Sequence, residues 1–94
     1  MTKDVGDGFG VYFSGNFVEG ENWSKAICGT WTTDNVWEVE VTPPSGDNFD
    51  WKTLKGTYIA DNGTALIDDN DSLTWESGSD HNQGNLHPGF NGGF

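Results

Sequence analysis

In LTWES, residues 73–77, Trp75 stands directly before Glu76 in a stretch otherwise rich in Asp, Asn, Ser and Gly. It is one of five tryptophans. Trp37 and Trp51 alternate with apolar residues and read as core. Trp23, in GENWSK, follows a polar turn; Trp75 follows an acidic loop; Trp31 lies among threonines. These three have no apolar stripe to join, and rings held at a surface suit a ligand. An indole face is apolar with negative quadrupole character. The axial C–H bonds of a pyranose are apolar and slightly positive, so the two surfaces stack. Polar neighbours can then read the sugar hydroxyls by hydrogen bonds. Tryptophans beside Asp, Asn, Glu and Lys therefore point to sugar recognition, which needs no charge on the ligand.

Other chemistries find less support. Glycoside hydrolysis needs two carboxylates held across a cleft, and the acids here fall mostly in loops of a small chain. No serine sits in a nucleophile elbow, and His81 and His87 lie in a Gly/Asn-rich tail without zinc spacing. An enzymatic role is not expected. DDNDS, residues 68–72, places oxygen ligands at alternate positions, so Asp68, Asp69 and Asp71 could bridge a calcium ion; a hydrated turn is the preferred reading, and no cofactor is expected. Cys28 is the one cysteine, which rules out an internal disulfide and reads as a small buried thiol.

The charge balance narrows the partners. Fifteen acidic residues against four basic ones give a net charge of −11, which repels phosphate backbones and anionic lipid surfaces. Nucleic acid and membranes are not expected partners, and no apolar run is long enough to span a bilayer. An acidic exterior also serves solubility.

The elements that must carry these residues are short. The 94 residues suit one domain, 33% hydrophobic and 14% aromatic, with 14 glycines, so a few large rings must supply most of the core. Helical periodicity is hard to find. GVYFSGNF (10–17), VWEVEV (36–41), FDWKTLKGTYI (49–59), TALI (64–67) and SLTWE (72–76) read as strands, separated by Gly, Asn, Asp and Pro. In 36–41 Trp37, Val39 and Val41 share one face; from 49 onward Phe49 and Trp51 point one way, and Asp50, Lys52 and Leu54 the other. Residues 78–94 read as an irregular tail. The expected fold is all-β, a small antiparallel sandwich or barrel in a single domain over 1–94.

The order of these motifs resembles the starch-binding domains of carbohydrate-binding module family 20 and its near relatives. The resemblance rests on Gly15-Asn16, then Gly20-Glu21-Asn22-Trp23; on Asp34 ahead of the strand led by Trp37; on Phe49-Asp50-Trp51-Lys52; and on Trp75-Glu76-Ser77. It covers residues 11–77. It implies an immunoglobulin-like antiparallel β-sandwich, here trimmed at both ends, secreted as part of a larger protein and tethered to an amylolytic enzyme such as an α-amylase. It implies a sugar site on Trp23 and Trp75, with Lys52 and Glu76 hydrogen-bonding glucose hydroxyls, and a second site around Trp31 with Trp37 nearby. The family's Asn after the Trp-Glu pair corresponds to Asn82, two positions late, with Asp80 at the usual place. The expected function is noncatalytic binding of starch, amylose, maltooligosaccharides or cyclodextrin. The rival readings are a β-sandwich interaction or adhesion module organised by calcium, and a module for β-glucans such as cellulose.

Overall fold

A computed structural model of the chain describes residues 8–32, 37–43, 49–69, 72–77 and 81–82. The described regular structure is strands and short 3-10 turns, and every strand pairing is antiparallel. The strands are β1 (Phe9–Gly15), β2 (Lys25–Cys28), β3 (Thr30–Trp31), β4 (Trp37–Glu38), β5 (Asp50–Thr57), β6 (Thr64–Leu66), β7 (Thr74–Trp75) and β8 (His81–Asn82). Six of them form one sheet in the order β6-β2-β1-β5-β7, with β8 also paired to β5; β3 and β4 form a separate two-stranded ladder. The expected all-β antiparallel architecture is what forms. Among the described residues no helix is long and apolar enough to cross a membrane.

The centre of the large sheet is the long pairing of β1 with β5, from Phe9 opposite Thr57 to Gly15 opposite Trp51. β1 is buried along both faces from Gly10 to Gly15. Val11 and Phe13 join a cluster with Phe17, Ile27, Trp37, Phe49 and Trp51, against which Val39 and Val41 pack. The alternate residue Tyr12 joins Ala26, Cys28 and Leu54 on the opposite face, covered by Ala65, Ile67 and Leu73. Alternation along a strand sends successive side chains to opposite faces, so one strand serves two cores. The first core is a set of rings: Phe13 and Trp51 lie 5.8 Å apart between centroids, and Phe17 meets Phe49 edge to face at 5.9 Å. Each fully buried aromatic contributes about 1.5–3 kcal/mol, which is how so lean a composition sustains a core. On the second face the Tyr12 hydroxyl donates to the Thr57 carbonyl at 2.6 Å, and burial, then the neighbouring Cys28, push its phenol up to about 12. Cys28 is buried, as its setting suggested.

Two glycines hold the end of the sheet together. A Cβ on Gly15 would meet the Asp50 carbonyl oxygen at 2.2 Å, and one on Gly20 would meet the Gly15 carbonyl oxygen at 2.4 Å. The chain returning through the 3-10 turn Val18–Gly20 therefore lies directly on the end of β1. Asn16 locks the same corner: its backbone N–H donates to the Asp50 carbonyl at 3.2 Å, and its Oδ1 accepts from the Asp50 N–H at 2.9 Å.

Three strands lie where no strand is expected: β2, β8 and Thr30–Trp31, which pairs with Trp37–Glu38 as β3. KAIC pairs with both β1 and β6 as β2; it offers only four residues between a polar turn and Gly29, too short to show a period. His81–Asn82 forms β8 opposite Trp51 and Asp50, inside the stretch read as an irregular tail. The rest of that tail lies outside the described residues, as does Val36; of the strand read at 36–41, Trp37–Glu38 forms one and 39–41 do not.

Candidate functional site

Trp23 and Trp75 are 52 positions apart in sequence and meet in space: their ring centroids lie 6.0 Å apart with the planes inclined at 50°. Trp75 is 38% exposed and Trp23 is half-buried. Trp75 sits in β7 opposite Leu54, which places it on the Tyr12 face of the sheet. Lys52, two residues before Leu54 in β5 and opposite Ser14, is on that same face and half-buried.

The turn that delivers Trp23 is backbone-strained. Glu21, Asn22 and Trp23 hold φ of 44°, 56° and 71° in succession, a left-handed run that costs L-residues roughly 1–2 kcal/mol each. Neighbouring bonds hold it there. The Trp23 N–H donates to the Gly15 carbonyl at 2.9 Å and the Ser24 N–H to the Gly20 carbonyl at 3.1 Å. The Ser24 hydroxyl donates to the Glu21 carbonyl at 2.7 Å, and Glu21 pairs with Lys25. From the other side, Glu19 accepts from the Thr42 N–H at 2.6 Å and from its hydroxyl at 2.7 Å. Partial burial raises the Glu19 carboxyl, but the Thr42 hydrogen bonds outweigh it and the group titrates below its ordinary 4.5.

Glu76 does not stand beside Trp75's ring as expected. It is fully buried and belongs to the opposite face. Its Oε1 accepts from the Thr53 N–H at 3.2 Å, the Thr53 hydroxyl at 2.9 Å and His81 Nε2 at 2.8 Å. His81 lies over Trp51 with ring centroids 4.5 Å apart. The reason is the two-residue period of an extended chain: with Trp75 turned outward, its neighbour must turn in. The expected glucose contact from Glu76 is therefore corrected to an interior role. Thr53 and His81 were not anticipated; the period carried forward from Trp75 was the signal that could have revealed them. Asn82 lies opposite Asp50, four residues along β5 from the partner of Trp75, which is about 13 Å at the rise of a strand. The backbone thus does not bring Asn82 to the ring pair.

The second pair is built differently. Trp31 and Trp37 are directly opposite in the β3–β4 ladder. Trp31 is 53% exposed while Trp37 is buried in the first core at 6%, as its alternation suggested. Of the calcium candidates, Asp68 and Asp69 end a 3-10 turn, Ile67–Asp69, and Asp71 lies outside the described residues, as does Asp80. Among the described residues no three acidic, His or Cys side chains are grouped to hold a metal.

A groove of about 790 Å³ runs over the first core, between Phe17, Trp51 and the segment carrying Glu38 to Val41. Its aromatic floor is at most 8% exposed, and it lies on the first-core side of the sheet, away from the face that carries Trp75. Comparison of the chain with protein-family models, with curated proteins and with solved structures finds no match.

Proposed function

We propose that the chain is a noncatalytic module that binds starch-type α-glucans, built as an immunoglobulin-like β-sandwich and carried by a secreted amylolytic enzyme. The observation that carries this reading is the tilted, partly exposed pair Trp23–Trp75, 6.0 Å and 50° apart. Amylose curls, so successive glucoses turn their apolar faces through an angle. Two inclined indoles fit that curl, whereas a coplanar row would fit a flat β-glucan chain. Lys52, on the same face of the sheet, supplies a donor for glucose hydroxyls. The motif order over residues 11–77 supports the same reading. Trp31 offers a second, single-ring contact.

Few atoms are covered by such a platform, so affinity for a short oligosaccharide falls in the micromolar to millimolar range, on the order expected for small ligands with little burial. Granule binding gains from the second contact and from tethering to a catalytic domain. Calorimetric titration with β-cyclodextrin tests the reading. Wild type binds, and the double variant Trp23→Ala, Trp75→Ala does not; equal binding by both would remove this site assignment. A pull-down on insoluble starch beside cellulose decides the polysaccharide, and capture by cellulose alone would overturn the α-glucan reading.

A further inference from the structure

β7 and β8 lie along one edge of β5 and leave a gap between them. β7 pairs with Leu54 and Lys55, β8 with Asp50 and Trp51, and the interval holds Lys52 and Thr53. Glu76 occupies that gap. Its N–H donates to the Thr53 carbonyl at 2.9 Å. The Thr53 N–H, which a continuing strand would satisfy with a backbone carbonyl, donates instead to the Glu76 carboxylate. The same oxygen takes the Thr53 hydroxyl and His81 Nε2, so one carboxylate ties the end of β7 to β5 and to β8. Both side chains of the Glu76–His81 pair are sealed, at 0% and 2% exposure, and a buried carboxylate is tolerated only with such a set of donors.

We infer that Glu76, with Thr53 and His81, is a positioning brace for Trp75: it holds the strand end so that the indole keeps its angle to Trp23. A two-residue edge strand frays readily, and Trp75 ends β7, one residue before the brace. Glu76 thus serves the ring pair from the opposite face and contacts no ligand. As a sugar platform the pair rests on the function proposed above; the brace itself is a property of the unliganded chain.

The test uses the full chain without ligand. Two indoles this close give an exciton couplet in far-ultraviolet circular dichroism, which Trp23→Phe and Trp75→Phe identify by abolishing it. Glu76→Ala is expected to reduce the couplet to the level of Trp75→Phe, while Glu76→Gln, which keeps an acceptor at the same place, restores most of it. If Glu76→Ala does not fold, the double variant Thr53→Val, His81→Phe removes two donors while keeping similar shapes, and a clear loss of couplet is expected there. A wild-type couplet in Glu76→Ala, or in the double variant when Glu76→Ala is unfolded, overturns the brace. Failure of Glu76→Gln to restore it also overturns the brace, since the acceptor would not be what matters. β-Cyclodextrin titration then separates the two proposals: a braced platform loses roughly tenfold in affinity in Glu76→Ala because the ring must be ordered on binding. Should no variant or wild type bind any glucan, the function proposal fails while the couplet still decides the brace.

Discussion

The two tryptophan pairs of this molecule are made by opposite routes. Trp31 and Trp37 lie close in sequence and face each other across a two-stranded ladder, yet one ring goes to the core and the other to solvent. Trp23 and Trp75 come from a strained turn and a sheet edge, and their rings meet at a tilt with both partly open. Closeness in the chain leaves a single exposed ring, because a small core claims the ring it can reach. Distance in the chain brings two partly open rings together, because each ring is held by its own backbone device: the left-handed turn at 21–23 for one, the proposed Glu76 brace for the other.

The largest test of this contrast is on binding. Trp75→Ala is expected to cost about 2 kcal/mol or more in β-cyclodextrin affinity, as loss of an anchoring aromatic does, whereas Trp31→Ala should cost under about 1 kcal/mol and act mainly on granule binding. Equal losses would mean that the two pairs are equivalent platforms. Next comes the turn. Gly20→Ala drives a methyl against the Gly15 carbonyl, for an expected loss of about 1–3 kcal/mol of stability in denaturant unfolding. It should weaken the Trp23–Trp75 couplet and leave the Trp31 environment unchanged.

A smaller effect joins the two regions. Glu19 reaches from the turn before Trp23 to Thr42, beyond β4, and its carboxyl titrates below its ordinary 4.5 in the folded chain. The folded state therefore favours the ionised form. This contribution is complete above about pH 4.5 and is lost as pH falls through the lower folded value, where folded and unfolded forms are both protonated. Melting temperatures followed from neutral to acid pH should converge for wild type and Glu19→Gln below that window; a constant difference would remove Glu19 as the link. Smallest is Asn22→Gly, expected to stabilise by about 0.5–1 kcal/mol or less by relieving a left-handed residue while leaving sugar affinity unchanged.

Much of this was legible in the chain. Val-Tyr-Phe at 11–13, Phe49 with Trp51, and the alternation Trp37-Glu38-Val39 marked strands by residue type and period, and Trp37 and Trp51 went to the core as that period required. Trp31 and Trp75 were separable as rings without a stripe, and both are exposed. The resemblance implies a ligand contact for Glu76, whereas its parity in the strand, opposite to that of the exposed Trp75, turns it inward. β2, β3 and β8 have four, two and two residues, too few to show a period; they are strands through their pairing with β1 and β6, with β4, and with β5.

Composition and local order alone determined that the chain would be an antiparallel β fold with a ring-dominated core, since strand propensity, period two and glycine turns act over a few residues. Which rings meet was decided by tertiary structure. Bringing position 23 to position 75 depends on a contact between Gly15 and Gly20 and on a carboxylate bridging a break in the ladder, and such long-range close approaches leave no periodic trace in sequence.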